Sequence, residues 1–401
     1  MDYRHRWQQT RLRRTRQRLL IALGALLIVA VVLGALRWTH RSGAAWIYTP
    51  PQPGMVHFTV SGAQVCAVWD TGRVVGLDLS SGGELPHSEL RRAFPFLATP
   101  LLVSGRALVG SEDGRLRCLD LRTGQALWEH RSGGAVRGQP VLSGTSVLFS
   151  SDDGYLYCVD FATGAGLWRT YCGGALGAGP ALTGDRAVVG TVGYGIAGLN
   201  LAGVPPPPPP APTAAPAASA ASPRSRPRPA APAPDPLAQE RWLWGVPVRA
   251  AVLSPPVAYD GSRVAIGSDE GALYLLDAAA GRTLARVELP GLVRCRPAVL
   301  ADRLVVADSS GEIRAVTFDG APLWSRQRSD PPTAGLAASP SALYLGTAGA
   351  EILALRPADG SVLWRRDLPA PAAGSLEVTD TLILVGLEDG RICAFPRPAE
   401  G

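Results

Sequence analysis

An all-β fold, an eight-bladed propeller of four-stranded antiparallel blades preceded by one transmembrane helix, is predicted by three observations. The chain repeats itself about every forty residues. Each repeat carries turn signals about eight to twelve residues apart, the spacing of short antiparallel strands. Near the N-terminus, Leu19 to Leu36 is an unbroken stretch of 18 residues containing only Leu, Ile, Val, Ala and Gly.

The repeat is clearest in two consecutive units. Ser111-Glu112-Asp113-Gly114-Arg115-Leu116-Arg117-Cys118-Leu119-Asp120 is followed by Thr123-Gly124-Gln125-Ala126-Leu127-Trp128. Forty residues on, without a gap, stand Ser151-Asp152-Asp153-Gly154-Tyr155-Leu156-Tyr157-Cys158-Val159-Asp160 and Thr163-Gly164-Ala165-Gly166-Leu167-Trp168. A fixed period of this length marks a repeat architecture. The position four after the turn glycine serves as a ruler: Gly76, Cys118, Cys158, Gly198, Leu275, Ala315, Ala354 and Ala394. Its steps are 42, 40, 40, 77, 40, 39 and 40. Seven of the eight residues are small, which implies close approach of neighbouring sheets there.

Within a unit, Pro140-Val141-Leu142 reads as a first strand limited by Ser143-Gly144. Val147-Leu148-Phe149 is a second strand by β-propensity. Asp152-Asp153-Gly154 is a hairpin turn, with glycine supplying the positive φ. Tyr155 to Val159 is the third strand, Thr163-Gly164 a second turn, and Leu167-Trp168-Arg169 the start of a fourth. Such a sheet is apolar on both faces and must stack on its neighbours, and radial stacking leaves only short, protected edges. The blade tryptophans Trp128, Trp168, Trp244, Trp324 and Trp364 read as rings wedged between blades, each N–H bonded to a neighbouring backbone group. Ala285 stands in that place in the fifth unit, and the first unit has no counterpart.

The chain runs out after the third strand of the eighth unit. Gly43-Ala44-Ala45-Trp46-Ile47-Tyr48 resembles the missing outer strand, with Trp46 at the blade-tryptophan position. Residues 44–49 are therefore expected to close the last blade, giving a propeller over 44–398.

The net charge of +6 lies entirely in residues 1–18, which hold seven Arg and one acid; the remaining residues balance at 32 Arg against 32 acids. A basic stripe for nucleic acid is thus not indicated. Residues 1–18 read as a cytoplasmic tail and 19–36 as an anchor long enough to span a bilayer. The excess of Arg before the stretch places the N-terminus in the cytoplasm and the propeller in the periplasm or another extracytoplasmic space, with Trp38 at the interface. A cleaved signal peptide ending at Ser42-Gly43-Ala44 is the competing reading. The apolar stretch is long for that, and Arg37 and Arg41 fit a cleavage site poorly.

Six cysteines invite disulfides outside the cytoplasm. Cys118 and Cys158, however, occupy the same strand position in successive blades, too far apart for a bridge. They read as small apolar residues. The five His and six Cys form no metal-ligand spacing, and neither a metal nor a cofactor is expected.

Residues 203–238 are a Pro/Ala-rich insertion within blade 4. Pro205 to Pro210 favour polyproline II, and the segment has too few apolar anchors to fold alone. Removing about 36 residues restores the forty-residue period. Anchor and insertion each lead into a fourth strand, so both belong to one face of the disc. The Asp-Gly turns and the lead-ins to the first strands belong to the other, which is expected to point away from the membrane. Arg137 with Gln139, and Arg294 with Arg296, stand at lead-ins and mark a possible channel-mouth binding patch for an acidic partner.

The recurring Ser-Asp-Asp-Gly-Tyr-Leu-Tyr-x-Val-Asp…Thr-Gly…Leu-Trp pattern resembles the pyrroloquinoline-quinone-type propeller repeat over nearly all of residues 44–398 outside the insertion. That resemblance implies one of two branches. Quinoprotein dehydrogenases hold the quinone and Ca²⁺; noncatalytic BamB-like propellers act as scaffolds in envelope assembly. The chain lacks the adjacent Cys-Cys pair of many enzyme members and their long lid insertions. A noncatalytic, membrane-anchored scaffold for other envelope proteins is the expectation. The alternative is a quinone-dependent dehydrogenase or a degenerate ligand-sensing propeller.

Overall fold

The computed structural model describes residues 43–86, 90–91, 95–96, 98–202, 237–238 and 240–398. The expected tail (1–18), the anchor (19–36) and the insertion (203–238), apart from Leu237 and Ala238, lie outside them. Among the described residues no helix is long and apolar enough to cross a membrane.

The described chain forms eight four-stranded antiparallel sheets. Blade 2 shows the plan: Leu101–Val103, Arg106–Gly110, Arg115–Asp120 and Ala126–Arg131, from the axis outward. Blade 3 repeats it with Val141–Ser143, Ser146–Ser150, Tyr155–Asp160 and Gly166–Tyr171. In blade 4 the third strand, Gly195–Asn200, pairs directly with Trp242–Pro247 across the insertion. Blade 8 is built from both ends of the chain. Trp46–Tyr48 pairs antiparallel with Ile392–Pro396, setting Trp46 opposite Ala394.

The small ruler position is explained by register. Cys118 faces Trp128, Cys158 faces Trp168, Gly198 faces Trp244, Ala315 faces Trp324 and Ala354 faces Trp364. In blade 5, Leu275, the one large ruler residue, faces Ala285. Volume is thus conserved across the pair. In each of these six blades the register shifts just past this pair. A bulge there increases the local twist and turns the indole toward the next blade.

There the indole meets a fixed receiver, the Thr-Gly type turn between third and fourth strands. Trp46 Nε1 donates to Leu79 O (2.9 Å), Trp128 to Phe161 O (3.0 Å), Trp244 to Ala278 O (3.1 Å) and Trp324 to Pro357 O (2.8 Å). The turn glycine lies under the ring. A Cβ on Gly82 would sit 2.5 Å from Trp46, on Gly164 2.5 Å from Trp128, and on Gly360 2.7 Å from Trp324. These glycines also have φ near +70°, so the position excludes a side chain twice over. Trp168 faces the insertion instead of a short turn. Arg241 substitutes, its guanidinium 4.2 Å from the centre of the Trp168 ring and its Nη1 donating to Asn200 O and Leu201 O. One arginine thereby ties the two ends of the insertion together.

Eight apolar clusters of described residues fill the eight interfaces between blades. All six cysteines are free. Five are buried, and burial pushes the Cys66 thiol far up from its ordinary value. The closure between blades 8 and 1 carries polar bonds beside its apolar cluster. Tyr48 donates to Glu84 at 2.6 Å, Arg73 bridges to Glu84 at 2.8 Å, and Trp69 Nε1 donates to Gly390 O at 3.0 Å.

Two outcomes are expected. Trp324→Ala should lower unfolding free energy in denaturant titrations by about 3–5 kcal/mol, whereas Leu323→Ala, at an exposed neighbour, should change it by less than about 0.5 kcal/mol. Deleting residues 44–49 should lower the melting temperature of the whole ring, and an unchanged melting curve would contradict closure by that strand.

Candidate functional site: the axial cavity

The innermost strands and their lead-ins enclose an axial cavity of about 710 Å³. Each lead-in is positioned by the preceding blade. Val136 N donates to Ser111 O, Val252 N to Thr191 O and Val293 N to Ser268 O, at 3.1–3.2 Å. The side chain one residue later projects toward the axis, and this places Arg137 and Arg294. Blades 3 and 4 approach closely at the axis, because a Cβ on Gly138 or Gly179 would run into the facing backbone.

Arg137, Gln139, Arg294 and Arg296 all line this cavity. Their charges are not equally available. Arg294 makes a two-pronged bond to Asp269 at 2.9 and 2.8 Å. Arg137 donates to Asp152 at 2.7 Å, with Glu112 at 3.8 Å. Gln139 donates to Pro100 O at 3.2 Å, holding the axial ends of blades 2 and 3 together. Arg296 has no carboxylate within ion-pair reach among the described residues. It is solvent-accessible yet surrounded by protein, as a side chain in a channel must be, and the lost hydration lowers its pKa. The blade tryptophans take no part in the cavity; their contacts are those between blades.

Sequence reasoning missed the opposite wall. His57, Ser375 and Glu377 line it, where the first strands of blades 1 (Val56–Ser61) and 8 (Ala372–Val378) run close together. Phe58 N donates to Ser375 Oγ at 3.0 Å, and Val60 N to Glu377 Oε2 at 2.9 Å. Side chains here replace the backbone partners that two inner strands cannot give each other. Burial raises the Glu377 carboxyl to about 7, against the lowering effect of its bonds from Val60 and Thr59. Burial lowers His57, and Asp70 opposes that shift. A sequence signal existed: Ser375 and Glu377 are polar residues in a strand otherwise made of Ala, Gly, Leu and Val.

Among the described residues no group of three or more His, Cys, Asp or Glu could hold a metal ion. The cavity offers one unpaired guanidinium, one carboxyl that exchanges its proton near neutrality, and a rim of backbone groups. Such a set can bind and orient a polar segment or small anion.

The family model for outer membrane protein assembly factor BamB matches residues 24–139, 112–203 and 235–395. The chain belongs to this family. It is similar to the BamB of Shewanella oneidensis, at 27% identity over 133 residues, covering 32% of this chain and 34% of that protein. The matched part is thus about a third of the relative's length. The crystal structure of BamB from Moraxella catarrhalis superposes with a TM-score of 0.67 at 16% identity, covering 88% of this chain and 99% of that one. The crystal structure of the computationally designed Ika8 protein gives 0.71 at 16% identity, covering 88% and 100%. These two structural likenesses speak to the fold alone.

Glu377 gives a test of the cavity wall. An unfolded Glu releases its proton near its ordinary value of 4.5, whereas the folded chain holds this one to about 7. The folded state therefore binds the extra proton between those values, and stability declines as pH rises from about 4.5 through 7. Melting temperatures of Glu377→Gln should exceed those of the parent increasingly over that range, with the difference levelling above pH 8. A constant offset at all pH values would show the carboxyl to be hydrated.

Proposed function

We propose that this chain is a noncatalytic scaffold held at the cytoplasmic membrane by residues 19–36. Its propeller would lie outside the cytoplasm and organise other envelope proteins during outer-membrane protein assembly. The observation that carries the reading is the family match across both ends of the ring. The assembly role is that in the family's name. The departures from a catalytic site support the noncatalytic part: no metal-ligand group occurs among the described residues, and the carboxylates of the Asp-Gly turns are occupied. Asp113 bonds Ser111 and Arg117, Asp153 bonds Tyr157 and Gly133 N, and Asp389 bonds Arg391.

The strand order supports an orientation. The N-terminal segment joins the outer strand of blade 8, at the end where its third-to-fourth turn would be. The lead-ins and Asp-Gly turns lie at the opposite end of the strands. That face, with Arg137, Gln139, Arg294 and Arg296 at its centre, is the one offered to partners. An acidic segment entering the cavity would meet Arg296 unpaired and would compete with Asp269 and Asp152 for the other two.

A small-ligand sensor is favoured by one observation, the size of the cavity. A ligand that binds only the folded state raises its melting temperature, so quinone with Ca²⁺ tests that reading and should leave the temperature unchanged.

The scaffold reading is tested by crosslinking in intact cells with a photoreactive residue at position 296, followed by mass spectrometry. Recovery of barrel-assembly or other envelope-assembly proteins is expected, and a control residue at position 122, on the opposite face, should recover fewer. Equal recovery from the two faces would overturn the assignment of the binding face. Recovery of only respiratory or redox proteins would overturn the scaffold reading.

A further inference from the structure

A second concavity, of about 430 Å³, lies on the outer edge between blades 3 and 4, far from the axis. Its walls are Tyr155, Arg169, Tyr171, Ala238, Glu240 and Trp242. Tyr171 is 54% exposed, and its ring centre stands 5.4 Å from that of Tyr155. The Arg169 guanidinium lies 4.8 Å from the Tyr155 ring centre. Trp242 meets Tyr194, itself 39% exposed, edge-on at 5.1 Å.

The repeat does not demand these rings. Tyr155 and Tyr171 are a cross-strand pair at the end of the outer two strands. At the same register four other blades place Arg115 with Arg131, Ala272 with Glu288, Glu312 with Gln327 and Glu351 with Asp367. Blade 3 alone among these spends two tyrosines on a solvent-facing pair. Exposed aromatic clusters of this kind mark binding surfaces.

The chain itself brings a matching segment to the groove. It leaves the described residues after Ala202, beside the start of the strand that opens with Trp242, and returns at Leu237. Leu237 O accepts from Arg169 N at 2.8 Å, and Ala238 pairs in parallel with Arg169. Both ends of the insertion therefore flank the groove. Three residues beyond Ala202 the six prolines Pro205 to Pro210 begin. In polyproline II they would extend about 19 Å at roughly 3.1 Å per residue. The outer strand Trp242–Pro247, six residues long, spans about 20 Å at roughly 3.3 Å per residue. Aromatic-lined grooves receive polyproline II because its stiff backbone loses little entropy and its rings lie flat against the aromatic faces.

We propose that the groove formed by Tyr155, Arg169, Tyr171 and Trp242 seats the Pro205–Pro210 run of the same chain. The insertion is then fastened at a third place, besides Arg241 and the Leu237–Ala238 pairing. This inference is independent of the scaffold reading and of the anchor.

The test uses the full-length protein in detergent, with the photoreactive residue p-benzoylphenylalanine at position 211, just past the proline run. Equal amounts of ¹⁵N-labelled and unlabelled chains are mixed before irradiation. Crosslinks to peptides containing Tyr171 or Trp242 are expected, with both halves of each crosslink carrying the same isotope. Tyr171→Ala should reduce their yield at least fivefold with no change in melting temperature, since that ring is more than half exposed. Mixed-isotope crosslinks would show that the groove takes the run of a second copy, overturning the proposal. Crosslinks scattered over other blades, or a yield indifferent to Tyr171→Ala, would overturn it as well.

Discussion

The ring depends on one contact made repeatedly: an indole from the outer strand of one blade laid on the turn glycine of the next. It combines three physical effects at a single point. The ring buries a large apolar area, its N–H satisfies a turn carbonyl that would otherwise face an apolar interface, and the glycine admits the ring only because it carries no Cβ. The small ruler residues follow from the same contact, since Gly198 or Cys158 opposite the tryptophan leaves room for the indole to turn outward. Where the tryptophan is missing, the partner positions adjust. Leu275 fills the space left by Ala285, and Gly320 of the next blade meets the Ala285 methyl. Where the turn is replaced by an insertion, Arg241 supplies a flat cationic partner for Trp168.

Because each blade leans on the next, the structure needs its last interface to be as good as the others. The chain meets this need with Trp46, which reaches Leu79 and Gly82 of blade 1 as Trp128 reaches Phe161 and Gly164 of blade 3. The inner side of the same seam is different. There Ser375 and Glu377 hold the inner strands of blades 8 and 1 together through side-chain bonds to Phe58 and Val60. The closing seam thus places a protonatable group on the wall of the axial cavity, so ring closure and the candidate binding surface share residues.

What the sequence made legible was what the repeat enforces. The ruler position, the tryptophans and the turn glycines recur because the interfaces that use them ask for the same shape, so their roles follow from alignment of the chain with itself. Residues that differ between blades were harder to place. Arg137 and Arg294 are visible as equivalent cations, but which turn carboxylate each one meets is decided by the offset between neighbouring blades, and the two differ: Arg294 takes Asp269 of the blade before, Arg137 takes Asp152 of its own. Glu377 bonds Val60 across a separation of 317 residues, which no local pattern reports. Tyr155 and Tyr171 looked like ordinary strand residues until pairing set them side by side at an exposed edge.

The central claim is that the indole and the turn glycine act as one unit. The most direct measurement is a double-mutant cycle on Trp128 and Gly164, read as unfolding free energy. In the parent chain, Gly164→Ala meets both the positive φ and the Trp128 ring, 2.5 Å from the added carbon. In the Trp128→Ala background only the conformational cost remains, roughly 1–2 kcal/mol. The account predicts that the glycine substitution is markedly less damaging once the tryptophan is gone, with a coupling of about 1–3 kcal/mol. Equal damage in both backgrounds would contradict it.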